Sequence, residues 1–356
     1  MSKTITFGNR TIGDGHPLYY IADIGANHED DLDRARMLIE LAKESGADAA
    51  KFQNFQAAKI VSDYGFKSLG KTAHTSGWKK SVFDVFDDAS INKDWTAALK
   101  EKCDEVGIDY FTSPYDTESV DLVEPYLDVY KIGSGDITWH DMIRYIANKG
   151  KPVMIATGAS PMNEVEMAMQ VLQEITSDVV LMQCNTNYTT NPEKMRHVNL
   201  NVLKTYAEKF PDAILGLSDH TAGHASVVAA VALGARVFEK HFTDDNDRIG
   251  PDHPFAMNPK SWRAMVDTAN EAYAALGDGI KRIEDNEIGA ILVQRRSLRA
   301  TADLPIGKAI EKADLEALRP IPEDGLPPYK IDELVGKTLT KALVYGEHIT
   351  MKHVAT

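Results

Sequence analysis

Residues 216–255 read GLSDHTAGHASVVAAVALGARVFEKHFTDDNDRIGPDHPF. An apolar, strand-like run closes on Ser218-Asp219-His220. Small residues at helical spacing follow over 222–233, and a second strand-like run over 235–238 closes on Glu239-Lys240-His241. If the two strands are parallel neighbours, the right-handed crossover between them sets their carboxyl ends side by side. His220 and His241 are then placed to share one divalent cation, with the other positions left to water and substrate oxygens. The plainer alternative makes each histidine a polar cap on its own strand. Two of them at matching ends, followed by a carboxylate-rich loop over 244–252 stiffened by Gly250 and Pro251, keep the metal in play beside it.

The same alternation runs outward through the chain. Strand-like runs occur at 19–24, 49–52, 110–112, 129–132, 153–156, 179–182 and 214–217 besides 235–238. Helical patterns follow them at 31–45, 92–107, 117–123, 140–148, from Pro161, and at 198–209, 222–233 and 259–276. Eight such units are the signature of a (β/α)₈ TIM barrel. A doubly wound open sheet shares the alternation, but Gly25-Ala26-Asn27-His28 after the first strand is not a Gly-rich phosphate fingerprint. The long loop over 54–90, with Trp78 and several lysines, has the length of a lid or surface excursion. After Gly277 the pattern changes to short β-like runs at 297–300, 308–310, 318–320 and 338–344, broken by Gly and Pro. The expected division is a barrel over 1–280, a polar linker over 281–292 and a small β-rich module over 293–356.

At 356 residues and 43% hydrophobic, the chain can build one large core and one small one. A formal charge of -14 argues against nucleic acid or an anionic membrane as partner. A few converging lysines can still make a pocket for a small anion. The 2 cysteines, Cys103 and Cys184, make no disulfide framework and read as small core residues in a reducing cytoplasm. The first residues lack a signal-type apolar region, and no run approaches the roughly 18 apolar residues of a membrane span, so a soluble cytoplasmic protein is expected.

Barrel chemistry gathers where the strands end. Those ends carry Asp23, Lys51, Gln53, Ser113, Lys131, Ser134, Asp136, Ser218, His220 and His241. Singly, a lysine there is usually solvated or ion-paired and a serine usually caps a helix. Together, Lys51, Lys131 and the hydroxyls suit a phosphate or carboxylate. Asp23 and Asp136 are candidate acid/base groups, and His220 with His241 a candidate Lewis-acid metal site.

Several segments, Ala22-Asp23-Ile24-Gly25-Ala26-Asn27-His28, Lys131-Ile132-Gly133-Ser134-Gly135-Asp136, Gly216-Leu217-Ser218-Asp219-His220-Thr221 and Glu239-Lys240-His241-Phe242-Thr243 with Gly250-Pro251-Asp252, closely resemble the bacterial sialic acid (nonulosonate) synthases. The tail from Arg296-Ser297-Leu298 to Gly346 looks like the β-clip, antifreeze-like (SAF) module of that family. The resemblance implies condensation of phosphoenolpyruvate with an N-acyl hexosamine such as N-acetylmannosamine, with release of phosphate. It also implies a divalent cation, Mn²⁺ before Mg²⁺ or Co²⁺, on His220 and His241. Lys51, Ser113, Lys131, Ser134, Tyr188 and Ser218 would then line the phosphoenolpyruvate site, with Gln53 near the reacting carbons. Asp252 would contact the sugar, and Arg319 would reach its N-acyl group from the partner subunit of a domain-swapped homodimer.

The chain also departs from that pattern. Asp23 and Asp136 stand where the family has glutamates, each carboxylate drawn back by on the order of 1 Å, which matters in a positioned site. Gln183-Cys184-Asn185-Thr186 replaces a His-Cys-Thr-Asn stretch, so a phosphate-binding asparagine is exchanged for Thr186 or supplied by Asn185. A legionaminic- or pseudaminic-type precursor is therefore an alternative sugar. A metal-free Schiff-base lyase through Lys131 and a non-catalytic sugar-binding barrel are the competing functions.

Overall fold

The computed structural model describes residues 3–69, 80–187 and 190–355. Within the first of its two compact units, Met1–Gly277, eight parallel strands form one sheet: β3 (Tyr19–Asp23), β4 (Ala49–Asn54), β5 (Asp109–Pro114), β6 (Tyr130–Ile132), β7 (Val153–Ala156), β8 (Val179–Cys184), β9 (Ile214–Asp219) and β10 (Ala235–His241). Their order is β5-β4-β3-β10-β9-β8-β7-β6. The terminal members β5 and β6 lie side by side, and the sheet curls into the barrel. Each strand leads to a helix on the outside, ending with Pro259–Ala275 after β10.

Side-chain parity explains the strands. Both faces are covered, so they read as continuous apolar runs rather than alternating ones. Tyr20, Ala22, Ala50, Phe52, Leu181 and Phe238 face outward into the layer shared with the helices. Tyr19, Ile21, Ala49, Phe111, Met154, Met182 and Val237 face inward. The helices supply the matching stripe. In Leu32–Glu44 the buried residues are Ala35, Leu38, Ile39 and Ala42, and the Asp31 carboxylate caps the first turn by accepting from the amides of Asp33 and Arg34.

Three features depart from the expectation. An antiparallel hairpin, β1 (Thr4–Phe7) with β2 (Arg10–Gly13), precedes the barrel. Its Ile5, Phe7 and Ile12 join the inward cluster and close the amino-terminal end. The stretch after β4 is not structureless: it holds short helices at Ala57–Ile60, Asp63–Leu69 and Val82–Ala89, while Trp78 lies outside the described residues. The helix between β9 and β10 begins only at Ala225, and ahead of it the Thr221 carbonyl accepts from Lys240 at 2.6 Å.

The second unit covers Asp278–Thr356. The stretch expected as linker runs into a helix at Ile288–Gln294. Beyond it β11 (Ser297–Ala300) pairs antiparallel with β12 (Leu315–Leu318), and isolated bridges such as Leu304 with Leu343 complete a small core around Leu298, Ile310, Leu334 and Ile349.

Candidate active site

At the carboxyl end the inward parity continues, but the side chains change from apolar to polar. Asp23, Lys51, Gln53, Ser113, Lys131, Cys184, Ser218, Glu239 and His241 all occupy inward positions. Register makes neighbours of them: His241 pairs with Asp23, Asp23 with Lys51, Gln53 with Ser113, and Glu239 with Ser218. The intervening residues turn outward and bind one another behind the wall. Lys240 engages Asp219 and donates to the Thr221 carbonyl at 2.6 Å. Thr112 donates to the Asn54 side chain at 2.6 Å.

Asp23 is saturated. Its Oδ2 accepts from Lys51 Nζ at 2.7 Å and from Gln53 Nε2 at 3.0 Å, and its Oδ1 from the Gly25 amide at 3.0 Å. The organising group is Glu239, which the sequence reading passed over as part of a motif. Its Oε1 lies 3.3 Å from Lys131 Nζ, 3.7 Å from Lys51 Nζ and 3.2 Å from Ser218 Oγ. Burial pushes its carboxyl up, but the ammoniums of Lys131 and Lys51 outweigh that and hold it at about 2. Lys51 is raised in turn: burial opposes its charge and the two carboxylates outweigh burial. Lys51 is thus kept charged inside a barrel, where an unpaired ammonium would be costly, and Lys131 shares the same carboxylate at 3.3 Å. The one sequence-level signal was parity, since 239 lies two residues before His241 on the same strand.

His220, the first residue after β9, and His241, the last of β10, have ring centres 5.5 Å apart. His220 Nδ1 lies 3.0 Å from the Asn185 carbonyl oxygen. A carbonyl only accepts, so Nδ1 is the donor here and Nε2 is the nitrogen a neutral ring would offer to a cation. His241 stands between two carboxylates, Nδ1 at 3.3 Å from Asp252 Oδ2 and Nε2 at 3.7 Å from Asp23 Oδ2; burial opposes its charge, but the two carboxylates outweigh burial and raise its pKa. Two imidazoles bound to one cation at ~2.1 Å per bond hold their ring centres roughly 4.5–6 Å apart, so the pair fits a shared ion. Among the described residues no group of three or more His, Cys, Asp or Glu converges on an ion. The candidate donor set among the described residues is therefore the two imidazoles.

Asp136 sits half-buried on the turn Ser134–Asp136 after β6, and burial raises its carboxyl to about 6. Ser134 Oγ accepts the Gly158 amide at 2.8 Å. Gly158 is needed there, because a Cβ would stand 2.5 Å from Thr186 Cγ2 and 2.9 Å from both Cys184 Sγ and Ser134 Oγ. Cys184, expected as plain core, faces the site at 3.6 Å from His220 Nδ1. Burial raises its thiol pKa, yet His220, Ser134 and Lys131 bring it below the ordinary value. Asn185 turns its amide to its own loop, donating to the His197 carbonyl at 2.9 Å. Tyr188 lies outside the described residues. Arg319 is exposed on the second unit, directly after β12.

The NeuB family model matches residues 38–281 and the SAF domain model residues 295–355. The chain belongs to the NeuB family. It is 32% identical to the N,N'-diacetyllegionaminic acid synthase of Legionella pneumophila over 98% of this chain and 97% of that one. With the human N-acetylneuraminate-9-phosphate synthase it shares 33% identity, over 92% of this chain and 90% of the other. Among solved structures, the N-acetylneuraminic acid synthetase of Leptospira borgpetersenii superposes with a TM-score of 0.72 at 28% identity, covering 82% of this chain and 96% of that one. This NeuB family member is an enzyme of the nonulosonate synthase type, a TIM barrel followed by an SAF domain.

Proposed function

We propose that the chain condenses phosphoenolpyruvate with an N-acyl hexosamine, N-acetylmannosamine or a related acylamino sugar, to a nine-carbon 2-keto-3-deoxy sugar acid and inorganic phosphate. The observation that carries this is the buried pair Lys51 and Lys131 joined through Glu239, 5% exposed, beside the two facing histidines. A trianionic substrate needs fixed cations in a dry site, and the inward serines Ser113 and Ser218 add short donors. Ser134 and, in this reading, Tyr188 complete the phosphoenolpyruvate pocket.

In the reaction, C3 of phosphoenolpyruvate forms a bond to the sugar aldehyde carbon and the aldehyde oxygen becomes a hydroxyl. Water adds at C2, and the C2–O bond breaks to expel phosphate. A divalent cation on His220 and His241, Mn²⁺ first, would supply Lewis-acid polarisation of the aldehyde when bound. Lys51, held by Asp23, and Lys131, held by Glu239, clamp the anion. Gln53, fixed by Asp23, lies along the reacting carbons. Asp136, with its carboxyl near 6, accepts the proton of the attacking water at neutral pH. Asp252 faces the sugar, whose N-acyl group is met by Arg319 of the partner subunit in a homodimer. Large apolar side chains exposed at Ile280, Ile283, Ile288, Leu292 and Val293 support a partner that covers them. The reading carries a cytoplasmic location with it, because phosphoenolpyruvate is made there.

The test is phosphate release from phosphoenolpyruvate across a panel holding N-acetylmannosamine, its 6-phosphate, and diacetamido sugars of the legionaminic and pseudaminic type. Release that depends on one of these sugars and stops with a chelator is expected. No release with any of them, or borohydride trapping of pyruvate on Lys131, would overturn the proposal.

A further inference from the structure

The loop between β10 and the helix Pro259–Ala275 carries Asp252, and it is pinned to the segment after β3 at several points. Arg248 binds Glu29 as a fork, Nε to Oε1 and Nη2 to Oε2, both at 2.8 Å. Arg34 binds Asp244 in the same way, at 3.1 and 2.6 Å, while its Nε donates to the Asn27 carbonyl at 2.8 Å. His253, 1% exposed, is clamped between Glu29 Oε1 at 3.1 Å and Thr243 Oγ1 at 2.7 Å. The backbone records the load. Glu29 and Asp30 both adopt left-handed conformations, φ 52 and φ 54, which non-glycine residues keep only where their surroundings hold them.

Inside this frame Asp252 Oδ2 meets two groups, His241 Nδ1 at 3.3 Å and the Ala26 amide at 3.3 Å. The approach is close enough to demand Gly25, where a Cβ would stand 2.8 Å from Asp252 Oδ2 and 3.2 Å from His241 Nδ1. Asp252 is on a connection 11 residues past the strand that carries His241; within that loop Asn246 donates to the His253 and Ala256 carbonyls at 2.8 and 2.7 Å and the Met257 amide donates to the His241 carbonyl at 2.8 Å, and the forks tie the closed loop across to the segment after β3.

We infer that the Arg248–Glu29 and Arg34–Asp244 forks, with His253 between them, form a latch that sets Asp252 against His241 Nδ1 and thereby fixes the His241 ring beside His220, with Nε2 on the side of Asp23. Glu29, Arg248 and His253 are then positioning residues for the cation site, through Asp252. A carboxylate on the distal nitrogen of a ligating histidine fixes its tautomer and ring direction, and losing such a partner weakens metal binding about 10- to 100-fold. This rests on the metal role proposed above.

The experiment uses the full chain freed of metal, with Mn²⁺ alone as probe, followed by the electron paramagnetic resonance signal of the free ion. Asp252→Asn should raise the Mn²⁺ dissociation constant about 10- to 100-fold. Arg248→Met and Glu29→Gln should each raise it roughly 3- to 10-fold. Arg248→Lys should fall between Arg248→Met and the parent, since an ammonium keeps the charge but not the fork. Ring ¹⁵N shifts of histidine-labelled, metal-free protein provide an arm that needs no metal. At a pH high enough to leave His241 neutral, it should be the Nδ1–H tautomer in the parent and a mixture in Arg248→Met and Glu29→Gln, with thermal melting verifying that each variant is folded. Unchanged Mn²⁺ affinity and an unchanged His241 tautomer in both latch variants would overturn the inference. Equal Mn²⁺ binding by the parent and His241→Ala would instead overturn the metal role, while the tautomer arm still decides the latch.

Discussion

Asp136 and Glu239 are two carboxylates in one barrel mouth pushed in opposite directions. Glu239 has two ammoniums beside it and is held at about 2; for Asp136 burial is what counts, and it rises to about 6. A carboxyl raised in the folded state contributes stability that is fully present below its unfolded value of about 3.8 and is lost as pH rises through the folded one. At pH 8 the ionised Asp136 therefore costs the fold roughly 1–3 kcal/mol. Asp136→Asn should be more stable than the parent by that amount in urea unfolding at pH 8, with the difference closing toward pH 4. Its turnover should fall about 10²- to 10⁴-fold with little change in the phosphoenolpyruvate KM. A variant that gains stability and keeps its turnover removes Asp136 from the chemistry. For Glu239→Gln the expected result is the reverse in stability, a loss of about 3–5 kcal/mol, because two buried ammoniums lose their shared counter-ion. Phosphoenolpyruvate, as a replacement anion, should then raise the melting temperature of Glu239→Gln more than that of the parent. Equal ligand-induced shifts would show that the lysines do not meet the substrate.

At the level of elements, the two ends of the barrel separate stability from chemistry. The hairpin β1–β2 closes the amino-terminal end with Ile5, Phe7 and Ile12, and the Phe7 ring meets Tyr19 edge-on at 5.5 Å. Phe7→Ala should cost about 3–5 kcal/mol in chemical denaturation while leaving the KM for phosphoenolpyruvate unchanged, since every polar group of the site lies at the opposite end. Gly158→Ala addresses the loop after β7. The added methyl must displace Thr186, Cys184 or Ser134, and with Ser134 goes the hydrogen bond to the 158 amide. Here the KM should rise roughly tenfold with only a small loss of stability. An unchanged KM would place Ser134 outside the pocket.

For the whole molecule, the decisive experiment mixes two inactive proteins, His220→Ala and Arg319→Ala, under conditions that let subunits exchange. A site completed in trans regains activity in the heterodimer, because one of its sites then combines an intact barrel with an intact Arg319 of the partner subunit. Activity that stays at background after exchange is verified would assign Arg319 a role within its own chain, or none. The small module, with about 65 residues, has too little core for great independent stability, which favours its being held by a partner.

By itself the amino-acid order determined the eight strand and helix repeats, the position of the polar strand ends and the presence of a second β-rich module, because buried parallel strands and amphipathic helices are local patterns. It also determined which residue types stand at the mouth. What it did not carry is which neighbour each group takes. Asp219 and Lys240 look as functional on paper as Glu239, yet the pleat turns them outward onto each other and turns Glu239 inward between Lys51 and Lys131. Cys184 reads as core and faces His220. The hairpin that plugs the barrel has no helix-strand repeat to announce it. Asp252 reads as a loop residue, and the forks at Arg34 and Arg248, joining positions 210 and 219 residues apart, tie its loop across the barrel mouth beside His241. Propensity and periodicity act over a few residues, whereas charge pairing inside a barrel is settled by strand register and closure, which exist only once the chain has folded.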